Sequence, residues 1–230
     1  VPLVSFFGLT VFSTRLVAAI AGTCTILTTS LLVRELYGKP AGLIAAFLVA
    51  FSPWGFVFSR VAFRGILLPL CVTLGVYLFL RSLKDSKLFA LNGLVFGLVL
   101  HSYAIAKLLV PLLILCLLLL YRQALIQLIR QDRKARLHVL FACLVFLGLA
   151  LPVYHFAFWG PGNERFGQLS ILGGSQPLYS FVRNYLLHLS PDFLFLHGDV
   201  NQRHSLAGFG QLQIVLVPFV LLGLGAAIRK

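Results

Sequence analysis

The chain has 230 residues, 60% of them hydrophobic and 11% charged, with a mean hydropathy of +0.97. A water-soluble domain has about a quarter of its residues charged, so these values place the chain in a membrane. They exclude a disordered, coiled-coil or collagenous chain and a disulfide-stapled secreted scaffold. The net charge of +13 has no nucleic-acid recognition motif beside it and reads mainly as a topology signal.

A membrane-crossing helix needs about 20 mainly apolar residues. Seven runs qualify, at 13–33, 41–58, 61–80, 88–104, 106–121, 137–158 and 212–228. The expected fold is all-α, a polytopic bundle of about seven helices: six spans over residues 1–158, a long loop over 159–211, and a final span with a basic end over 212–230. The chain opens Val1-Pro2-Leu3 with no Met and no basic leader, and is expected to be a fragment of a longer protein. Cys24, Cys71, Cys116 and Cys143 all fall within apolar runs, where a thiol acts as a small hydrophobe, so no disulfide is expected.

Along the chain, Ser52-Pro53-Trp54 interrupts the second run and predicts either a kink or a re-entrant turn. The stretch Arg81 to Lys87 separates the third run from the fourth, and the basic stretch Arg122 to Arg136 separates the fifth from the sixth. Gly93 and Gly97, four apart, predict a close helix–helix approach, which is a matter of shape and not of chemistry. From Pro177 to Leu189 the spacing predicts a short amphipathic helix lying in the interface and roofing one membrane surface.

Lysine and arginine are retained on the cytoplasmic side. One alternating set of connections holds Arg34, Lys39, Arg81, Lys84, Lys87, Arg122, Arg130, Arg133, Lys134, Arg136, Arg229 and Lys230, which is 12 of the 19 basic residues. That set is expected inside, so the long loop near 160–211 is expected outside. The basic residues left on the outer side then need another reason.

Arg60 and Arg64 are the first candidates. Four apart at the expected start of the third helix, they would share a face and gain from the positive end of the helix dipole, a setting suited to a phosphate or diphosphate. The competing reading is that both reach lipid headgroups. Lys107 and Tyr103, also four apart, can hold a phosphate or a sugar hydroxyl or form part of an interfacial belt. In the long loop, Glu164, Asp192, Asp199, Arg203 and His204 are candidates for substrate binding. Asp192, His197, Asp199 and His204 include metal-ligand types, but their spacing fits no metal motif, so a divalent cofactor lacks support and none is assigned. There is no P-loop, dinucleotide fingerprint, HExxH or GxSxG, and no spacing singles out a catalytic triad.

The run Phe12-Ser13-Thr14-Arg15, then Arg34-Glu35-Leu36-Tyr37-Gly38, Ser52-Pro53-Trp54 and Ser59-Arg60 with Arg64, resembles the type C superfamily of membrane glycosyltransferases. Within it the chain is similar to the branch containing protein O-mannosyltransferases and the bacterial aminoarabinose transferase of lipid A. Ser190-Pro191-Asp192-Phe193, His197-Gly198-Asp199 and Arg203-His204-Ser205 resemble a later loop of prokaryotic members. The resemblance implies transfer of a sugar from a polyprenyl-phosphate carrier to a protein, lipid or glycan acceptor on the outer face of a prokaryotic plasma membrane. It also implies that the general base is an acidic residue in the first external loop, which is expected upstream of Val1 and would leave the fragment inactive. The catalytic residue is therefore unassigned. Two other classes stay open: a transporter or flippase of a lipid-linked or anionic substrate, and a noncatalytic subunit that binds lipid. A transporter should show ionisable groups at the membrane midplane or repeated halves with broken helices.

Overall fold

A computed structural model of the chain describes residues 8–61, 63–160, 176–199 and 208–228. Helix α1, Val11–Tyr37, starts at a reciprocal cap: the Ser13 amide donates to Thr10 Oγ1 and the Thr10 amide to Ser13 Oγ, both at 3.1 Å. It stops at Gly38, whose φ of +94° suits glycine and turns the chain back. Helix α2, Lys39–Ala50, then lies against α1, with Ser30 Oγ donating to the Gly42 carbonyl at 2.9 Å. Pro53 opens α3, Pro53–Arg60, which is bent by 59° from α2. After extended backbone at Val61 and Phe63, a 3₁₀ turn at Arg64–Ile66 leads into α4, Leu67–Ser82.

Helix α5, Leu88–Val99, returns to α4 through buried Asn92, whose amide donates to the Gly75 carbonyl at 2.6 Å. Helix α6, Ala106–Leu120, turns by 74° into α7, Arg122–Gln131. The Asp132 carboxylate then caps α8, Arg133–Trp159, by accepting from the Lys134 amide at 2.8 Å. Beyond it come α9, Pro177–His188, a π turn at Asp192–Leu196, and α10, Val217–Ile228.

Among the described residues the fold is all-α. Each of the seven predicted runs falls on helix, but not always as one span. By length and composition, α1, Arg64–Ser82 and α8 can each cross a membrane alone, and the number reaches five if each bent pair is one span. The run at 41–58 is a broken pair, because Pro53 has no amide to continue α2. The run at 88–104 is a helix only to Val99, and the basic stretch from Arg122 to Arg136, expected as a connection, is helical over most of its length. The predicted helix from Pro177 forms with its side chains exposed, and it rests on the π turn, where His188 meets Phe193 at 4.7 Å between ring centroids.

Two buried clusters hold the bundle. The larger, around Phe96, Val99, Leu100 and Val110, joins α4, α5, α6 and α8; the smaller, Ala18, Ala21, Phe58 and Ile66, sits where α1 meets α3. Contacts also gather the connections at two ends. Lys84 Nζ pairs with Glu35 Oε1 at 2.5 Å and Ser86 Oγ lies 3.0 Å from His138 Nδ1 at one end. At the other, Phe63 meets Tyr103 edge-on at 5.4 Å and the Tyr154 hydroxyl donates to the Lys107 carbonyl at 2.6 Å.

Candidate functional site

The bend between α2 and α3 leaves space against α1. A cleft of about 440 Å³ opens there, closed on its far side by the start of α4. Its polar lining is mostly hydroxyl: Thr23, Thr25 and Thr29 from α1, Ser52 and Ser59 around the bend, and Thr73 from α4. Trp54 and Phe56 supply aromatic surface, and Arg60 supplies a guanidinium. Helix α3 comes this near because α1 has glycine at position 22, where a Cβ would stand 2.6 Å from Ser59 Cβ.

The hydroxyl bonding defines what the cleft can hold. Thr23 donates to the Ala19 carbonyl at 3.0 Å, Thr25 to Ala21 at 2.7 Å, Ser59 to Phe56 at 3.0 Å and Thr73 to Pro69 at 2.8 Å. With the protons directed to their own helices, the oxygens keep lone pairs for a ligand's O–H donors. The Arg60 guanidinium lies 3.9 Å above the Phe56 ring, a cation–π contact that steadies the charge without neutralising it. Among the described residues no carboxylate lines the cleft.

The remaining sequence candidates are placed differently. Arg60 ends α3 and Arg64 begins the 3₁₀ turn, with extended backbone at Val61 and Phe63, so the two do not share a helix face. Arg60 sits at the negative end of its helix dipole, contrary to expectation; only Arg64 stands at a helix start. Tyr103 precedes α6 while Lys107 is in its first turn, so they are not stacked on one face either. The Phe63–Tyr103 contact nevertheless brings Tyr103 beside the Arg60–Arg64 segment. Asp192 Oδ1 pairs with His197 Nδ1 at 2.5 Å in the π turn, and Asp199 follows it. Glu164, Arg203 and His204 lie outside the described residues. Among the described residues no three His, Cys, Asp or Glu side chains converge as a metal site, and all four cysteines are free thiols.

Sequence reasoning missed the hydroxyls. Thr23, Thr25, Thr28 and Thr29 crowd α1, and a polar cluster within an apolar run was the available signal. Charge drew attention to the helix ends instead.

A family model for dolichyl-phosphate-mannose-protein mannosyltransferase matches residues 3–156, which include every residue lining the cleft. No curated protein and no solved structure matches the chain.

Proposed function

This chain belongs to the dolichyl-phosphate-mannose-protein mannosyltransferase family, and from that premise we propose that its cleft receives the sugar and phosphate of a polyprenyl-phosphate-linked donor. The chain is a membrane glycosyltransferase of the type C class, built from apolar helices. Its acceptor in this reading is a protein, lipid or glycan. The cleft end faces outward from the plasma membrane, since the more basic end favours the cytoplasm.

In the reaction an acceptor hydroxyl oxygen bonds to the anomeric carbon, and the bond from that carbon to the phosphate oxygen breaks. The phosphate leaves with the electron pair. Arg60 offsets the charge that grows on it, within a cleft whose apolar walls keep the dielectric low. The sugar's hydroxyls donate to the threonine and serine oxygens, and Trp54 gives the ring an amphipathic face. Arg64 and Lys107 extend the positive field along the lipid phosphate, with Tyr103 beside them. The acceptor's proton needs a carboxylate base, and this reading places that base outside the residues described here. Glu164, Asp192, Asp199, Arg203 and His204 are assigned to acceptor or sugar binding.

The observation that carries this reading is the single guanidinium among hydroxyl oxygens in a cleft free of described carboxylates. The test is transfer from a polyprenyl-phosphate sugar in membranes. Arg60→Ala should lower turnover by roughly 10- to 100-fold, matching about 1.5–3 kcal/mol for a hydrogen bond to a charged group. Adding Arg64→Ala should abolish transfer. Wild-type turnover in a folded double variant would remove both arginines from the mechanism and overturn the reading.

A further inference from the structure

The end of the bundle away from the cleft carries a second cationic surface, which the transfer reaction does not use. Arg34 lies in the last turn of α1 and Lys39 begins α2; Arg81, Lys84 and Lys87 flank the turn before α5. Arg122 and Arg130 are on α7, and Arg133, Lys134 and Arg136 open α8. All of these side chains are exposed.

The described carboxylates of this end are already engaged. Glu35 pairs with Lys84 at 2.5 Å and with Arg81 at 3.6 Å. Asp85 accepts from the Lys87 amide at 3.2 Å, and Asp132 caps α8. A surplus of positive charge is left facing outward.

Helix α7 gives that charge a shape. It is bent by 74° from α6, so with α6 crossing the bilayer α7 runs nearly along the leaflet surface. Leu125 and Leu128 are turned onto the larger core cluster, which leaves Gln123, Gln127, Arg130 and Gln131 on the open side with Ile126. Arg136 donates to the Ile129 carbonyl from Nη2 at 3.3 Å and from Nε at 3.4 Å, which fixes the corner between α7 and α8.

We propose that α7 and the first turn of α8 form a docking surface for anionic phospholipid headgroups in the leaflet at this end. Leu125 and Leu128 rest, partly buried, against the bundle, so the apolar side of α7 is directed toward its own core. Its open side presents guanidinium and amide donors at headgroup depth, complementary to the negative potential of an anionic leaflet. An acidic protein would want an apolar centre in its interface, and this face offers little beyond Ile126. The proposal does not depend on the transferase reading.

The test is lipid selectivity at α7, measured by fluorescence in the whole chain reconstituted into bilayers. Ile126→Trp, on the same face and without a donor to lose, supplies the reporter; the parent protein supplies the background from Trp54 and Trp159, both on the cleft side. Brominated phosphatidylcholine quenches the reporter, and unbrominated phosphatidylglycerol or phosphatidylcholine competes with it. Phosphatidylglycerol should displace the quencher at least about threefold better, an advantage that about 0.5 M salt should suppress. Arg130→Gln with Arg133→Gln and Lys134→Gln should bring the ratio close to one. Equal displacement at low salt in the reporter chain with all its basic residues intact overturns the proposal and leaves an acidic protein as the better occupant. Selectivity that survives both salt and the triple substitution also overturns it. The salt arm needs no cation to be replaced, so misfolding of the triple variant cannot mask the answer.

Discussion

The contact of α5 with α8 and the contact of α1 with α3 use the same device and end differently. In the first, a Cβ at Gly93 would stand 2.4 Å from the Ala142 carbonyl oxygen, and one at Gly97 would stand 2.6 Å from Leu149 Cδ1. In the second, a Cβ at Gly22 would meet Ser59 Cβ at 2.6 Å. Helices α5 and α8 stay together for several turns and bury Phe96, Val99 and Val153 nearby. Helix α3 touches α1 closely at one level, because its partner α2 departs at a 59° angle, and the leftover space is the cleft. A small residue marks where helices meet; a site arises where one of them then turns away.

The largest effect should come from closing the tight contact. Gly93→Ala drives a methyl into backbone that belongs to a 27-residue helix and cannot yield by a rotamer change. A loss of about 1–3 kcal/mol is expected, as for overpacked cores, visible as a lower Tm in detergent. Transfer per folded molecule should be unchanged. A variant as stable as the parent would mean that α8 can move aside, and the contrast between the two contacts would fail.

Much of this contrast was legible in the sequence, for physical reasons. Apolar run length set the helices, and the Gly93 and Gly97 spacing showed a close approach, now seen against Ala142 and Leu149. The division of basic residues between alternating connections corresponds to the two ends that Glu35–Lys84 and Phe63–Tyr103 bring together. Pro53 announced a break without its angle, since proline removes an amide but the bend depends on what α3 packs against. The pairing of Arg60 with Arg64 failed for the same kind of reason: a spacing of four implies one face only within one helix, and Val61 and Phe63 are extended. Thr23 and Thr25 of α1 escaped notice because each satisfies its proton locally, so only the neighbouring helix shows that they face a cleft.

A smaller and more diagnostic effect should come from Gly22→Ala. The new methyl pushes on Ser59, the neighbour of Arg60, and so moves the guanidinium relative to the α1 hydroxyls. Transfer should fall about tenfold, about 1.4 kcal/mol in the barrier, with a smaller drop in Tm than Gly93→Ala gives, since α3 meets α1 closely at one level only. In a Ser59→Gly background, which lacks both the clashing atom and one cleft hydroxyl, adding Gly22→Ala should cost no further rate, a rescue from the effect of the new methyl. Without that rescue, Gly22 would matter for some reason other than its distance from α3.

The smallest effect separates two hydroxyls that touch each other. Thr28 Oγ1 and Thr73 Oγ1 are 2.7 Å apart and link α1 to α4, but Thr73 lines the cleft and Thr28 does not. Either substitution to valine removes the same interhelical bond, and neither strands its partner: Thr73 still donates to Pro69 at 2.8 Å, and Thr28 has the Thr25 carbonyl at 3.2 Å. The stability cost should therefore be alike and small, about 0.6 kcal/mol, the usual value for such bonds between membrane helices. Transfer should divide them. Thr73→Val withdraws an acceptor from the donor sugar and should slow turnover by about two- to tenfold, whereas Thr28→Val should leave it near wild type. If both variants transfer at the same rate, the hydroxyls on this wall of the cleft serve helix contact alone, and sugar recognition would have to come from the Ser52–Ser59 side.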